Sequence, residues 1–367
     1  MRSLRSLGAP ALAGAVALGC GGVAVVPPEG AGGAGGGSSG PTTSAIDPTL
    51  GCDPGQADCN GVEADGCEVD LASDAASCGT CGHGCQGGEC QSGHCQPVIV
   101  ATGQSYAVRL AATETAVYWT SDNGIVYRAH EGEQPAMVAV EQPSPGDIAV
   151  NSTHVYWANL GDGTIARAPL EGDGAEVVAG GAALPWSLAV SDTTLAWTDN
   201  QTGDVTVMPL EGGGPKVVAT SQGAWGLALD ATHVYWTTLF AQQVLRAPIA
   251  GGAAETLSKD ISSPSDLALS GDRVFFGTAS DAGVFAVPIA GGATAALTDE
   301  GGFGIGADAE HVYFGEYDGR IARVPVSGGD VQVLAIGEAT PADIALTKAS
   351  VYWTTATQSG LVMKVAK

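Results

Sequence analysis

From residue 98 onward the chain alternates short apolar runs with glycine-rich polar breaks, and the breaks recur at a steady interval. One unit reads "GLALD", then "HVYWTT", then "QVLRAPIAGG", then "ETLS". These segments are short, rich in Val, Leu, Thr and aromatic residues, and either alternate or stop at a glycine. That pattern predicts β-strands, because an amphipathic helix needs apolar residues spaced at about 3.6. Four short strands in about 40 residues is the size of one propeller blade.

The aromatic near the end of the second segment falls at Trp119, Trp157, Trp197, Trp236, Phe276, Phe314 and Trp353, with spacings of 38, 40, 39, 40, 38 and 39 residues. The chain is therefore expected to be all-β, a seven-bladed β-propeller over 97–367. Its two ends support ring closure. The last copy stops after a third segment, "GLVMKVAK", while "VIVATGQ" at Val98 to Gln104 mimics the fourth-segment phrase "KVVATSQ" at Lys216 to Gln222. The N-terminal strand should complete the last blade and remove an exposed sheet edge.

The repeated phrase "VYWT…G.V.R.PL.GG" resembles the YWTD repeats of low-density lipoprotein receptor type propellers, over 98–367. The resemblance implies the propeller fold. This chain departs from the family, which usually has six blades and an aspartate closing the phrase. Here that aspartate survives only as Asp199, and the other copies carry Ser121, Asn159, Thr238, Thr278, Glu316 and Thr355. The family's ligands and partners therefore do not carry over.

Ahead of the repeats the pattern vanishes. Residues 51–96 hold too few apolar side chains to build a core, but eight of the nine cysteines: Cys52, Cys59, Cys67, Cys78, Cys81, Cys85, Cys90 and Cys95. Four disulfides would substitute for the core, each contributing roughly 2–4 kcal/mol, in a pairing that spacing does not reveal. Cys78-x-x-Cys81 with His83 and His94 also outlines a zinc set. Asp53, Asp58, Asp65, Glu68, Asp70 and Asn60 outline an oxygen-rich set for calcium, at spacings unlike an EF-hand. The segment resembles the "DCNG…DGCE…CGxCG" modules near the N-terminus of bacterial surface lipoproteins.

The first 19 residues have a basic start, an apolar run from Leu7 to Leu18 and the sequence "ALGC" ending at Cys20. The run is too short to span a bilayer and reads as a secretory signal over 1–19. "ALGC" resembles a lipobox, which implies lipidation of Cys20 and explains the odd cysteine. Ordinary signal cleavage at Ala15 to Ala17 is the alternative. Residues 20–50, rich in Gly, Pro and Ser, form a flexible tether. Their Gly36-Gly37-Ser38-Ser39-Gly40 matches a hydrolase elbow only formally, with no strand before it and no helix after it. The expected location is outside the cytoplasm, lipid-anchored to the cell envelope at the outer membrane or cell surface. Disulfides are then favoured over zinc.

A net charge of −25, about −27 once Arg2 and Arg5 leave with the signal, excludes nucleic acid and anionic lipid as partners and suits cationic ones. Candidate chemistry is confined to one face of the ring. Propellers bind at the channel mouth, and one position near the start of each innermost strand aligns Arg109, Asp147, Ser187, Gly226, Asp266, Gly304 and Asp343. Trp186, Trp225 and Phe303 precede it in three blades. The loops between second and third strands add Asp122, Asp162, Asp199, Asp204, Asp281 and Asp318, so this face should be acidic, with Leu239 and Phe240 as one apolar spot.

Arg109, Asp147, Trp186, Trp225, Phe240, Asp266, Phe303 and Asp343 are thus the candidate ligand-binding residues. The plainer reading is that Arg109 pairs with Asp343 and Asp147 to tie blades together. His154, His233 and His311, repeated before "VY", are expected in turns on the opposite face. Arg128, Arg167, Arg246 and Arg323 are expected to tie blades. No catalytic motif is embedded in the repeats. The expected function is a monomeric, non-catalytic binding or scaffold module for a protein or glycan. The alternative is a metal-dependent lyase or hydrolase using Asp147, Asp266 and Asp343. No cofactor is called for, calcium being the one candidate ion.

Cys20→Ser should release the protein from the membrane fraction of its host; a variant that stays membrane-bound after carbonate washing overturns the lipid anchor.

Overall fold

The computed structural model describes residues 51–62, 66–107, 109–172, 174–279, 283–337, 339–355 and 357–367, with the side chain of Phe303 left out. The signal, Cys20, the tether, Asp65 and Asp281 lie outside the described residues. Every regular element among those described is a strand.

Seven four-stranded antiparallel sheets follow one another in chain order, each running from an innermost to an outermost strand. The second blade is typical: Pro145–Val150, His154–Asn159, Thr164–Pro169 and Glu176–Ala179. The innermost strands of neighbouring blades pack together all the way round the axis. The ring closes as expected. Val98–Ala101 pairs antiparallel with Val362–Ala366 and supplies the fourth strand of blade 7. The blade number is seven, above the usual six of the YWTD family.

The buried residues sort into seven clusters, each spanning two adjacent blades, one of them with four cysteines of the N-terminal region added. Ile148, Val155 and Trp157 of blade 2 meet Tyr118 and Val126 of blade 1, and Phe276 and Val287 of blade 5 meet Tyr235 of blade 4. The last pair of blades closes the same way, Val362 with Leu110 and Trp119. No blade has a core of its own. The repeated tryptophan is therefore a packing residue: Trp119, Trp157 and Trp236 are fully buried, each contributing on the order of 2–3 kcal/mol of apolar burial.

Two local features join the blades near the start of each innermost strand. The register slips by one residue there in blades 2 to 7, as between Pro145 and Ile148 or Pro264 and Leu267. Such a bulge re-aims the side chain beside it. The threonine after the repeated aromatic then bridges the gap. Thr237 Oγ1 accepts the Gly226 N–H (2.9 Å) in its own blade and donates to the Ser265 carbonyl (2.5 Å) in the next. Thr120 donates to the Gly146 carbonyl (2.7 Å) and Thr198 to that of Trp225 (3.4 Å).

The small N-terminal region is held by four disulfides: Cys52–Cys67, Cys59–Cys81, Cys78–Cys90 and Cys85–Cys95. Cys78, Cys85 and Cys95 present sulfurs within 4.8 Å of one another, but each is already bonded, so no thiolate is available to zinc. The acids around them cap turns. Glu68 accepts the Cys59 and Asn60 N–H groups, Asp58 that of Gly61, and Asp70 that of Ala72. Cys78, Cys85, Cys90 and Cys95 share one buried cluster with Tyr313, Ile344 and Trp353, which seats the region on blades 6 and 7. Four disulfides point to an exported protein.

Thr237→Val keeps the volume but leaves the Gly226 donor and the Ser265 acceptor unpaired in a buried gap. It should cost about 1–3 kcal/mol, read as a lower urea midpoint at unchanged slope; an unchanged midpoint removes the threonine tie.

Candidate functional site

The start of each innermost strand, where the bulge lies, forms one mouth of the central channel. Here the structure places the aligned polar residues, and it buries them. Asp147, Asp266 and Asp343 have essentially no exposed surface, and Arg109 has 6%. Each carboxylate reaches one blade onward. Asp343 Oδ2 accepts the Leu110 N–H (2.9 Å), Asp147 Oδ2 those of Leu188 (2.7 Å) and the Ser187 hydroxyl (3.1 Å), and Asp266 Oδ2 that of Ile305 (3.4 Å). Arg109 Nε stands 3.6 Å from Asp147 Oδ1.

At two of the four joints that no carboxylate spans, glycine lets the backbones meet directly. A Cβ on Gly226 would lie 2.6 Å from the Ser265 carbonyl oxygen. One on Gly304, at φ +57°, would lie 2.7 Å from the Ile344 nitrogen. Side chains and glycines at this level thus serve the same joint in different blades.

Burial raises the Asp147 carboxyl to about 6, against the pull of Arg109 and of its N–H donors. Burial also pushes Asp343 upward, with Arg109 lowering it and the nearby Asp147 raising it. Asp199, the one surviving family aspartate, behaves oppositely. Its burial is outweighed by the N–H groups of Thr202, Leu184, Ala183 and Gln201, which hold it below the usual range while it braces a loop of blade 3.

The aromatic candidates divide. Trp186 and Trp225 touch across blades 3 and 4, ring centroids 4.7 Å apart and tilted by 48°. Phe240 lies on the loop of blade 4 against Gly223, 79% exposed. Phe303 contributes its backbone to the innermost strand of blade 6. Ser265 takes the position of Trp186 and Trp225 in blade 5. The Trp186 and Trp225 indole nitrogens and the Ser265 hydroxyl are buried without a hydrogen-bond partner among the described residues. Three successive blades therefore carry an unused polar atom at one level of the mouth. Ser265 escaped the sequence reading, which followed aromatics alone; its place in the alignment was the available signal.

The surrounding face is acidic. Asp122, Asp162 and Asp318 are exposed, and Asp204 is half-buried and accepts the Thr220 hydroxyl (2.7 Å). Arg320 is enclosed by Glu316, Asp318 (2.8 Å) and Glu300 (3.4 Å). On the opposite face, His154, His233 and His311 begin the second strands and tilt against Tyr156, Tyr235 and Tyr313. Arg128 and Arg246 do cross between blades, to the Leu170 (3.1 Å) and Ile289 (2.6 Å) carbonyls. Arg167 and Arg323 instead bond Glu176 and Gln332 within their own blades.

Neither the protein-family models nor the curated proteins compared with this chain give a match. Among solved structures, virginiamycin B lyase from Staphylococcus aureus is similar, with 12% identity over 74% of this chain and 98% of that one, at a TM-score of 0.64. A streptogramin B lyase shows 13% identity over 74% and 96% of the two chains, with a TM-score of 0.63. A chain of a nidogen–laminin complex shows 15% identity over 60% and 96%, with a TM-score of 0.49. At such identities the two lyases share a fold with this chain and nothing finer.

The raised Asp147 predicts a pH slope. Unfolded Asp147 loses its proton near 3.8 and folded Asp147 near 6, so the stability it contributes is full below about 4 and lost as pH rises to about 6. Asp147→Asn keeps an acceptor for Leu188. The stability difference between wild type and variant should therefore shift by on the order of 3 kcal/mol across that window in urea titrations; a constant difference refutes the assignment.

Proposed function

We propose that the protein is an exported, monomeric lipoprotein, anchored through Cys20, whose propeller is a non-catalytic binding or scaffold module for a protein or glycan. The supporting observation is the Trp186–Trp225 pair, which combines apolar ring surface with two buried indole N–H donors that no group among the described residues uses. Such a pair suits a partner rich in hydroxyl or carbonyl acceptors, because a buried donor gains most from an acceptor brought to it. Ser265 extends the row of polar atoms, and Phe240 offers an aromatic contact on the same face.

The ring acids weigh against catalysis. Asp147, Asp266 and Asp343 are buried, and each commits Oδ2 to a backbone N–H of the following blade. The other oxygen of Asp266 and Asp343 accepts the next N–H of its own strand, that of Asp147 faces Arg109, and no histidine occupies the ring positions. A general acid or metal ligand needs an accessible oxygen. The propeller folds shared with two lyases bear on architecture alone, since one fold carries many functions.

The test uses the purified protein on arrays of envelope glycans and in cross-linking on intact cells from a photoreactive residue at Phe240. Trp225→Phe removes one donor and keeps the ring. It should weaken the recognised partner about five- to tenfold, with Phe240→Ala weakening it further and Asp266→Asn, if folded, leaving it unchanged. A stoichiometric metal, lost together with an activity in Asp147→Asn, Asp266→Asn and Asp343→Asn, would replace this reading with the lyase or hydrolase one.

A further inference from the structure

The opposite mouth of the channel carries a second departure from the repeat. The residue three places beyond each ring position ends the wall of the channel on that side. In blades 2 to 5 it is Val150, Val190, Leu229 and Leu269, and in blade 7 it is Leu346. Blades 6 and 1, which flank blade 7, have Ala307 and Ala112 instead. A cavity of about 410 Å³ opens at these three blades, floored by Ala112, Ala307, Ile344 and Leu346. That volume lies within the range of small-molecule sites, about 300–1,000 Å³.

The rim is charged. Asp308 and Lys367 form a pair (2.9 Å), and burial at Asp308 is outweighed by the His311 and Glu310 N–H groups and by Lys367, which bring its carboxyl to about 2. That acid is committed to its neighbours. Among the described residues Glu114 accepts only the Lys348 backbone N–H (3.2 and 3.3 Å), and the exposed Glu310 carboxylate has no partner. Lys348 is the one remaining cation of the lining. Two carboxylates free of ion pairs, on a chain of net charge −25, outweigh it.

We propose that this cavity binds a small amphiphile with a cationic head: its apolar body on the alanine and leucine floor, its ammonium at Glu114 and Glu310. The site is separate from the tryptophan face and does not depend on the function proposed above. The floor would supply most of the binding by removing apolar surface from water. The rim would select sign, because an exposed ion pair contributes only a few tenths to one kcal/mol, and the field of the whole chain adds to it.

The test compares three probes with one body, 4-phenylbutylammonium, 4-phenylbutanol and 4-phenylbutyrate, by titration calorimetry with the full protein at low and physiological salt. The ammonium should bind about three- to fivefold tighter than the alcohol and the carboxylate weakest, with the spread shrinking as salt rises. Ala307→Leu restores the side chain that blades 4, 5 and 7 carry. It should abolish binding of all three, by about tenfold or more, without lowering the urea midpoint. Should that variant lose stability, Ala112→Val makes the same test from the other flank. Glu310→Gln should narrow the ammonium preference and leave the alcohol unchanged. Equal binding of the three probes overturns the charge assignment, and binding that survives both filling variants overturns the site.

Discussion

A single blade of this propeller cannot bury its own faces. Its apolar side chains meet those of the next blade, so every stable layer is shared, and the ring must close for the first and last blades to be covered. The pairing of Val98–Ala101 with Val362–Ala366 is the contact on which the rest depends. Without it Leu110, Trp119 and Val362 would face water, and the outer edge of blade 7 would offer unpaired N–H and C=O groups.

The same constraint explains the polar ring. Seven twisted sheets brought to one axis leave backbone N–H and C=O groups at the bulges that no ladder satisfies. Thr120, Thr198 and Thr237 donate to such carbonyls, Asp147, Asp266 and Asp343 accept such N–H groups, and Gly226 and Gly304 let the backbones approach closely. Three acids and an arginine near a channel resemble a site until their partners are named. What distinguishes blades 3 to 5 at the mouth is three atoms left over at one level, the two indole nitrogens and the Ser265 hydroxyl. The opposite mouth is distinguished by two missing branched side chains.

The disulfide region is bound into this scheme. Only Gln96 and Pro97 separate Cys95 from the closing strand at Val98, and four of its cysteines pack in the layer between blades 6 and 7. Its position on the ring is therefore set by covalent and apolar contacts together.

Much of this was legible along the chain, because a repeat writes its physics several times. The spacing of Trp119 through Trp353 determined the number of blades, the mimicry of "KVVATSQ" by "VIVATGQ" determined how the ring closes, and the even cysteine count determined that the N-terminal region is cross-linked. From the aligned ring positions Arg109 is expected to pair with Asp343 and Asp147; the ion pair formed is the one with Asp147, and Asp343 feels Arg109 electrostatically. Other features needed the third dimension, because they depend on which blade follows which at a given depth. The disulfide pairing, the one-blade reach of each ring aspartate, the contact of Trp186 with Trp225 and the commitment of Asp199 to four N–H groups are of this kind. Alignment shows that Ala112 and Ala307 are smaller than their counterparts. Only the closed ring sets them on either side of Leu346, where two absent side chains become one cavity.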